Sequence, residues 1–189
     1  MGITPIKRKR VVRLLISTNQ EGTTNLRAAI AMSRIYAYLE AARKQVRAIE
    51  ALEKKADPKK PSYSSAMIQA FIQVHLYFIC WAAIGRMIEV IRRCSGLEAP
   101  SRVRKKYRAE LKRYAEARDH FEHYEERLPG GKMSEKLMNP GDYGSLRNGY
   151  FSLGGFKWDI SPRSVRNLNL IIEELAREIL SELRARPHD

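Results

Sequence analysis

Residues 76–85 read Leu-Tyr-Phe-Ile-Cys-Trp-Ala-Ala-Ile-Gly and form the longest apolar run in this chain of 189 residues. The run is apolar on nearly all sides of a helix, but it is well short of the roughly 18 residues that a membrane span needs. It lies in a predicted helix that begins near Ser62 and stops at Gly96, a residue suited to the left-handed conformation at a helix C-terminus. We therefore predict that this helix is the most buried element, with His75 as a core group whose hydrogen bonds are satisfied.

Three further helices are predicted around this one, because apolar residues recur at helical spacing between helix-breaking residues. Between the last two helices lie a loop rich in glycine and asparagine and then two alternating segments around Gly154-Gly155, the pattern of a small β-hairpin. The predicted fold class is all-α, a four-helix bundle of mostly antiparallel long helices with a small β-hairpin between the third and fourth helices. The predicted bounds are about 30 residues after Asn25 for the first helix, 100–128 for the third, 132–148 for the loop, 150–160 for the hairpin and 162–186 for the fourth helix.

The length suits a single helical domain, residues 23–189, preceded by a basic N-terminal arm over residues 1–22. The arm makes a poor signal peptide, because only a short apolar run follows its cations. The two cysteines, Cys80 and Cys94, lie fourteen positions apart on one predicted helix, which is too far for a disulfide bond. These features favour a cytoplasmic protein that does not engage a membrane.

The charge of the chain points to the class of its partner. There are 35 Lys and Arg residues against 21 Asp and Glu, a formal net charge of +14. Such an excess favours a polyanion such as nucleic acid, and less often an acidic membrane surface or protein. The start of the third helix is strongly basic although cations there oppose the helix dipole, so an anionic partner explains them better than helix stability does. The candidate nucleic-acid-binding residues are Arg102, Arg104, Lys105, Lys106, Arg108 and Lys112.

Several classes of site are excluded by missing motifs. No glycine-rich loop carries the Lys and Ser or Thr of a phosphate-binding loop, and no cysteine pair has zinc spacing. No histidine of the third helix has a glutamate three positions before it, as a di-iron bundle requires. We expect neither a metal ion nor another cofactor.

A second candidate surface lies later in the third helix. At about 100° per residue, Arg118, Asp119 and His123 fall at roughly 0°, 100° and 140°, so they share one surface beside the core stripe. A guanidinium suited to phosphate and an imidazole that titrates near neutrality would then face the same partner. An ordinary solvent-exposed face is the alternative, because an Arg at this spacing before a His is expected about once by chance in such a composition.

Arg118-Asp119 followed by His123 resembles the motif of the HEPN superfamily of helical nucleases and nucleotide-binding domains. The mark of that family is an Arg, usually followed by a polar residue, four to six positions before a His, late in a bundle of four or five helices. The resemblance implies a symmetric homodimer that brings two motifs together and cleaves RNA without a metal, leaving a cyclic phosphate. Such proteins are often bacterial toxins or defence effectors, so a cognate antitoxin protein is an implied partner.

In the implied nuclease the catalytic residues are Arg118, Asp119 and His123. The two His123 side chains of a dimer would accept and donate protons, Arg118 would stabilise the charge of the phosphorane, and Asp119 would orient its partner. Two alternatives are open. One is a non-catalytic module that binds RNA or a nucleotide through the basic half of the third helix, and the other is a structural or antitoxin-like protein-interaction bundle.

Overall fold

Helices make up most of the chain, as the sequence predicts. The computed structural model describes residues 5–17, 24–55, 59–123 and 144–185. Within these ranges there are six helices and one antiparallel sheet of three strands. The helices are α1 Pro5–Ser17, α2 Thr24–Lys55, α3 Tyr63–Ser95, α4 Ala99–Lys106, α5 Arg108–Glu122 and α6 Pro162–Ala185. The strands are β1 Ser145–Arg147, β2 Tyr150–Leu153 and β3 Phe156–Asp159.

Helix α3 carries the centre of the core, as its apolar middle predicts. Tyr77, Phe78 and Trp81 are fully buried, and α3 packs against both α2 and α5. Gly96 ends the helix with a φ of 60°, the left-handed conformation expected of it. Among the described residues, α3 is the one helix long and apolar enough to cross a membrane, and half of its apolar window is buried inside the protein.

Helix α1 occupies residues for which the sequence predicted a basic N-terminal arm. Val11 and Leu15, one turn apart, are fully buried in the main core, and the helix packs against α2 and α6. Residues 5–17 are therefore packed onto the domain rather than extended from it. The available signal was the helical spacing of these apolar residues among the cations.

The third predicted helix is divided at Tyr107, whose φ of −104° and ψ of 20° are not helical. The two parts meet different neighbours, since α4 packs on α6 as well as on α3, whereas α5 runs along α3. The Tyr107 hydroxyl donates a hydrogen bond to Glu174 of α6 at 2.6 Å, which ties the break to that helix. The described part of the third helix ends at Glu122; residues 124–128 and most of the predicted 132–148 loop lie outside the described residues.

The predicted hairpin is part of a larger sheet. Strands β2 and β3 pair around Gly154-Gly155 as predicted, but β1 also pairs with β2 within residues predicted to be a loop. The loop prediction is wrong at β1 because Asn148-Gly149, with φ angles of 52° and 73°, forms a second tight turn. Asn-Gly is the dipeptide that such hairpin turns favour, so the signal was present in the sequence.

The sheet packs its buried face on α3. Phe151 and Trp158, which are partners across the β2–β3 ladder, place their rings 6.0 and 5.7 Å from that of Phe78. Helix α6 then begins at Pro162 as predicted, where the Ser161 hydroxyl accepts a backbone amide of the first turn at 3.2 Å.

Candidate nucleic-acid interface

A groove of about 570 Å³ runs between α3 and the α4–α5 pair. The helices that border it are antiparallel. His75 in the first half of α3 approaches Glu122 at the end of α5, whereas Glu89 farther along α3 approaches Arg104 of α4. Five of the lining residues have small or aliphatic side chains. These residues are Ala82, Gly85, Val90, Leu111 and Ala115.

The walls of the groove are basic, with five cations and a single acid, Glu89, among the lining residues. Hydrogen bonds from Arg92 and Arg93, together with the charge of Arg104 at 3.0 Å, lower the pKa of Glu89 to about 2. Glu89 thus stays ionised at neutral pH, but it is paired with arginines. The residues that line the groove therefore carry a net positive charge. The lining cations are Arg86, Arg93, Arg104, Arg108 and Lys112.

Two of these cations have no hydrogen-bond or ion-pair partner among the described residues. Arg86 of α3 and Arg108 of α5 are exposed and make no hydrogen bond or ion pair with any residue of the described ranges. Lys112 approaches Glu116 at 3.4 Å on the outer surface of α5, a pair that contributes only a few tenths of a kcal/mol. The groove therefore presents uncommitted guanidinium groups from both of its walls.

Of the six candidate nucleic-acid-binding residues, three line the groove and three do not. Arg102 and Lys106 instead pair with acids of α6, at 3.1 Å to Glu178 and 2.7 Å to Glu174. These pairs join α4 to α6, so they account for part of the basic charge that the sequence attributed to an anionic partner. Lys105 is exposed but is not among the lining residues. The three that line the groove are Arg104, Arg108 and Lys112.

Two of the groove cations, Arg86 and Arg93, were not among the predicted binding residues. Both lie on α3 after its apolar run, seven positions apart with Glu89 between them, so they share one helix face. This spacing was the available signal. It was overlooked because the apolar middle of α3 identified the whole helix as core.

Arg118 lies one helical turn beyond Ala115, past one end of the groove. Its guanidinium donates a hydrogen bond to the neighbouring Asp119 and pairs with Glu122 at 3.1 Å. The side chain is only 22% exposed, so two carboxylates offset a partly buried cation. Within one chain, Arg118 is therefore held by the protein's own acids.

His123 is the residue that follows α5 and serves as its C-cap. Its side chain is exposed, and its backbone amide donates to the Asp119 carbonyl at 3.1 Å. Arg118, Asp119 and His123 thus all belong to the end of one helix, and the ion pair that joins the first two lies within it. The nearby His120 faces the sheet instead, with its ring 4.7 Å from that of Phe156.

His75 lies beyond the same end of the groove as Arg118. Its position in the apolar helix had predicted a core group whose hydrogen bonds are satisfied. Its Nε2 lies 4.0 Å from Glu122, its ring stacks on Phe121 at 5.1 Å, and its side chain is 32% exposed. His75 Nε2 and Arg118 Nε are both buried and lack a hydrogen-bond partner among the described residues, so the core prediction is wrong. We call His75, Arg118 and Glu122 the end cluster.

Burial is the main influence on the imidazole of the end cluster. It lowers the pKa of His75 below its ordinary value of 6.5, while the Glu122 carboxylate opposes this shift and the Arg118 guanidinium adds to it. The imidazole is therefore neutral at pH 7. In chemical terms the groove can bind phosphates, and the end cluster adds a neutral proton acceptor beside a guanidinium.

Among the described residues, no three His, Cys, Asp or Glu side chains come together as metal ligands. No protein-family model matches the chain, and no curated protein or solved structure shows significant similarity to it. The groove and the end cluster are therefore the basis for a proposed function.

Proposed function

We propose that this protein binds single-stranded RNA, with the phosphate backbone lying in the groove between α3 and α4–α5. The observation that carries the proposal is the placement of Arg86 and Arg108 on opposite walls, both exposed and both without a partner in the described part of the chain. A guanidinium fork matches the geometry of phosphate oxygens. Lys112 supplies a third cation on the same wall as Arg108.

The shape of the groove supports a single strand. The α3 residues that line the groove run from Ala82 to Arg93, about 16 Å at 1.5 Å per residue, and His75 of the end cluster lies seven positions before Ala82. Proteins that bind single strands combine a positively charged groove along the backbone with aromatic side chains on which bases stack. The residues that line this groove include no aromatic side chain, so the proposal rests on contacts to the phosphates. The HEPN resemblance favours RNA over DNA.

Binding of RNA should weaken steeply as salt is added. If Arg86, Arg108 and Lys112 each displace one counterion, the logarithm of the association constant should fall against that of KCl concentration with a slope of about −2. Arg86→Gln should make the slope shallower by about 0.7 and weaken the affinity several-fold. Fluorescence anisotropy of a labelled oligoribonucleotide measures both quantities.

Lys44→Gln is the matched control for this titration, because Lys44 is an exposed cation of α2 that does not line the groove. It should leave the affinity and the slope nearly unchanged. A slope near zero for the wild-type protein, or an equal loss in the two variants, would contradict binding in the groove.

Metal-independent cleavage of the bound RNA is a second candidate function, favoured by the neutral His75 beside Arg118. Since Nε2 of His75 is buried, Nδ1 is the nitrogen that would accept the proton of a 2′-hydroxyl, and the Arg118 guanidinium would stabilise the phosphorane. The leaving 5′-oxygen needs a separate acid. In the homodimer that the HEPN resemblance implies, a His123 side chain would supply that proton.

Cleavage is tested with end-labelled RNA in the presence of EDTA. If the end cluster supplies the base, His75→Ala should abolish product while RNA binding persists. If two motifs of a dimer act alone, His123→Ala should abolish product and His75→Ala should not. Because burial lowers the pKa of His75 below its ordinary value of 6.5, the midpoint at which acid abolishes a rate that depends on the neutral imidazole should lie below pH 6.5. RNA cleavage that persists in each of these two single variants, or that requires an added metal ion, would exclude this function.

A further inference from the structure

A second groove lies between α1 and the first half of α2, and it shares no lining residue with the RNA groove. It encloses about 390 Å³, and aliphatic and small side chains make up nearly all of its lining. Ile16, Leu26 and Ile30 remain 49%, 48% and 46% exposed there. Three large aliphatic side chains exposed side by side form the kind of surface that marks an interaction site.

The rim of this second groove is basic. Lys9, Arg13 and Arg34 border it or its continuation past Val12, and all three are exposed. None of them forms an ion pair with a residue that the structure describes. Residues 5–17 and 24–39 contain no acid, so every charged residue of these two described segments is a cation.

The form of the groove suits a helix. Val12 and Ile16 form a ridge on α1, and Leu26 and Ile30 form another on α2, each pair one turn apart. The furrow between two such ridges is the surface on which another helix packs. A β-strand would gain little there, because the helices use their own backbone groups internally. From Leu26 to Ala37 the groove spans about 16 Å, or about three turns of a docked helix.

We propose that this second groove binds an acidic amphipathic helix of another protein. The apolar face of that helix would cover the three exposed aliphatic residues, and its carboxylates would face the three rim cations. A second copy of this chain is a poor occupant, since a symmetric dimer through this groove would set two rims of like charge against each other, and residues 5–17 and 24–39 supply no acid to pair with them. This surface is separate from the proposed RNA binding.

The test uses the full chain and a designed, fluorescein-labelled peptide of about 15 residues, with leucines on one helical face and glutamates on the other. We expect saturable binding, which Ile30→Asp and Leu26→Asp should each weaken by about tenfold or more. Each substitution removes apolar surface from the groove and sets a carboxylate against the acids of the peptide. Ile68→Asp is the matched control, at an isoleucine of α3 that is 62% exposed outside this groove, and it should bind as the wild type does.

A peptide of the same composition in scrambled order should bind at least about tenfold more weakly than the amphipathic one. RNA affinity should be unchanged in Ile30→Asp, which separates this proposal from RNA binding. The absence of saturable binding, or equal binding of both peptides, would overturn it, as would equal loss in Ile30→Asp and Ile68→Asp. Sedimentation with anionic vesicles, or self-association, that disappears in Ile30→Asp would assign the groove to a membrane surface or a second copy instead, and would equally overturn it.

Discussion

The double variant Arg86→Glu, Arg108→Glu should bind RNA about a hundredfold more weakly than the wild-type protein. The two substitutions remove the guanidinium groups that no described residue engages, one from each wall. They also place two carboxylates where phosphates would lie, and like charges brought together in an interface cost several kcal/mol. Anisotropy titration with the same oligoribonucleotide at about 0.1 M KCl measures the loss, and circular dichroism checks that the fold is retained.

The double variant Lys44→Glu, Arg47→Glu is the control for net charge. Both residues are exposed on α2 outside the groove lining, and the change in total charge is the same. We expect a loss of only a few-fold, since charges farther from the bound strand act through screened long-range attraction alone. A loss as large as that of the groove variant would mean that the affinity reflects the overall charge of +14 rather than the groove.

Replacing Trp81 with alanine should lower the free energy of unfolding by about 3–5 kcal/mol. Trp81 is fully buried, and its ring stacks on that of Tyr114 of α5 at 4.0 Å. Truncation would leave a cavity between α3 and α5, two of the helices that border the groove proposed to bind RNA. Because small domains have only about 5–15 kcal/mol of stability in all, a substantial unfolded fraction at 37 °C is expected, with a parallel loss of RNA binding.

Chemical denaturation followed by circular dichroism measures this change, and Leu170→Ala provides the comparison. Leu170 of α6 is 55% exposed, so its removal should alter the free energy of unfolding by about 0.5 kcal/mol or less. A Trp81→Ala protein that is destabilised by no more than Leu170→Ala would contradict the packing of α5 against the centre of α3.

The ends of helices and strands were predictable from the sequence where a residue at that end has a strong conformational preference. Gly96 stops α3, Ser161 and Pro162 start α6, and Gly154-Gly155 turns β2 into β3, each through a conformational preference of the residue itself. The division of the third helix at Tyr107 was not predictable in this way. The hydrogen bond at the break joins Tyr107 to Glu174 of α6, 67 positions away in the chain.

Only some of the cations that line the groove were predictable from the sequence, for the same reason. Arg104, Arg108 and Lys112 could be named because they crowd one short segment, whereas Arg86 lies beside the apolar run that marks a core helix. A helical wheel shows which residues of one helix share a face. It does not show which face of another helix lies opposite.

The sequence by itself determined the helical class, the excess of positive charge and the helix that carries the largest fully buried side chains, because these follow from composition and from the spacing of apolar residues. Only the tertiary structure decided which cations are paired and which are left for a ligand. It tied Arg102 and Lys106 to α6, set Arg86 opposite Arg108, and placed His75 beside Glu122. Those pairings join residues from different helices, so they are settled by how the helices pack and not by any local preference.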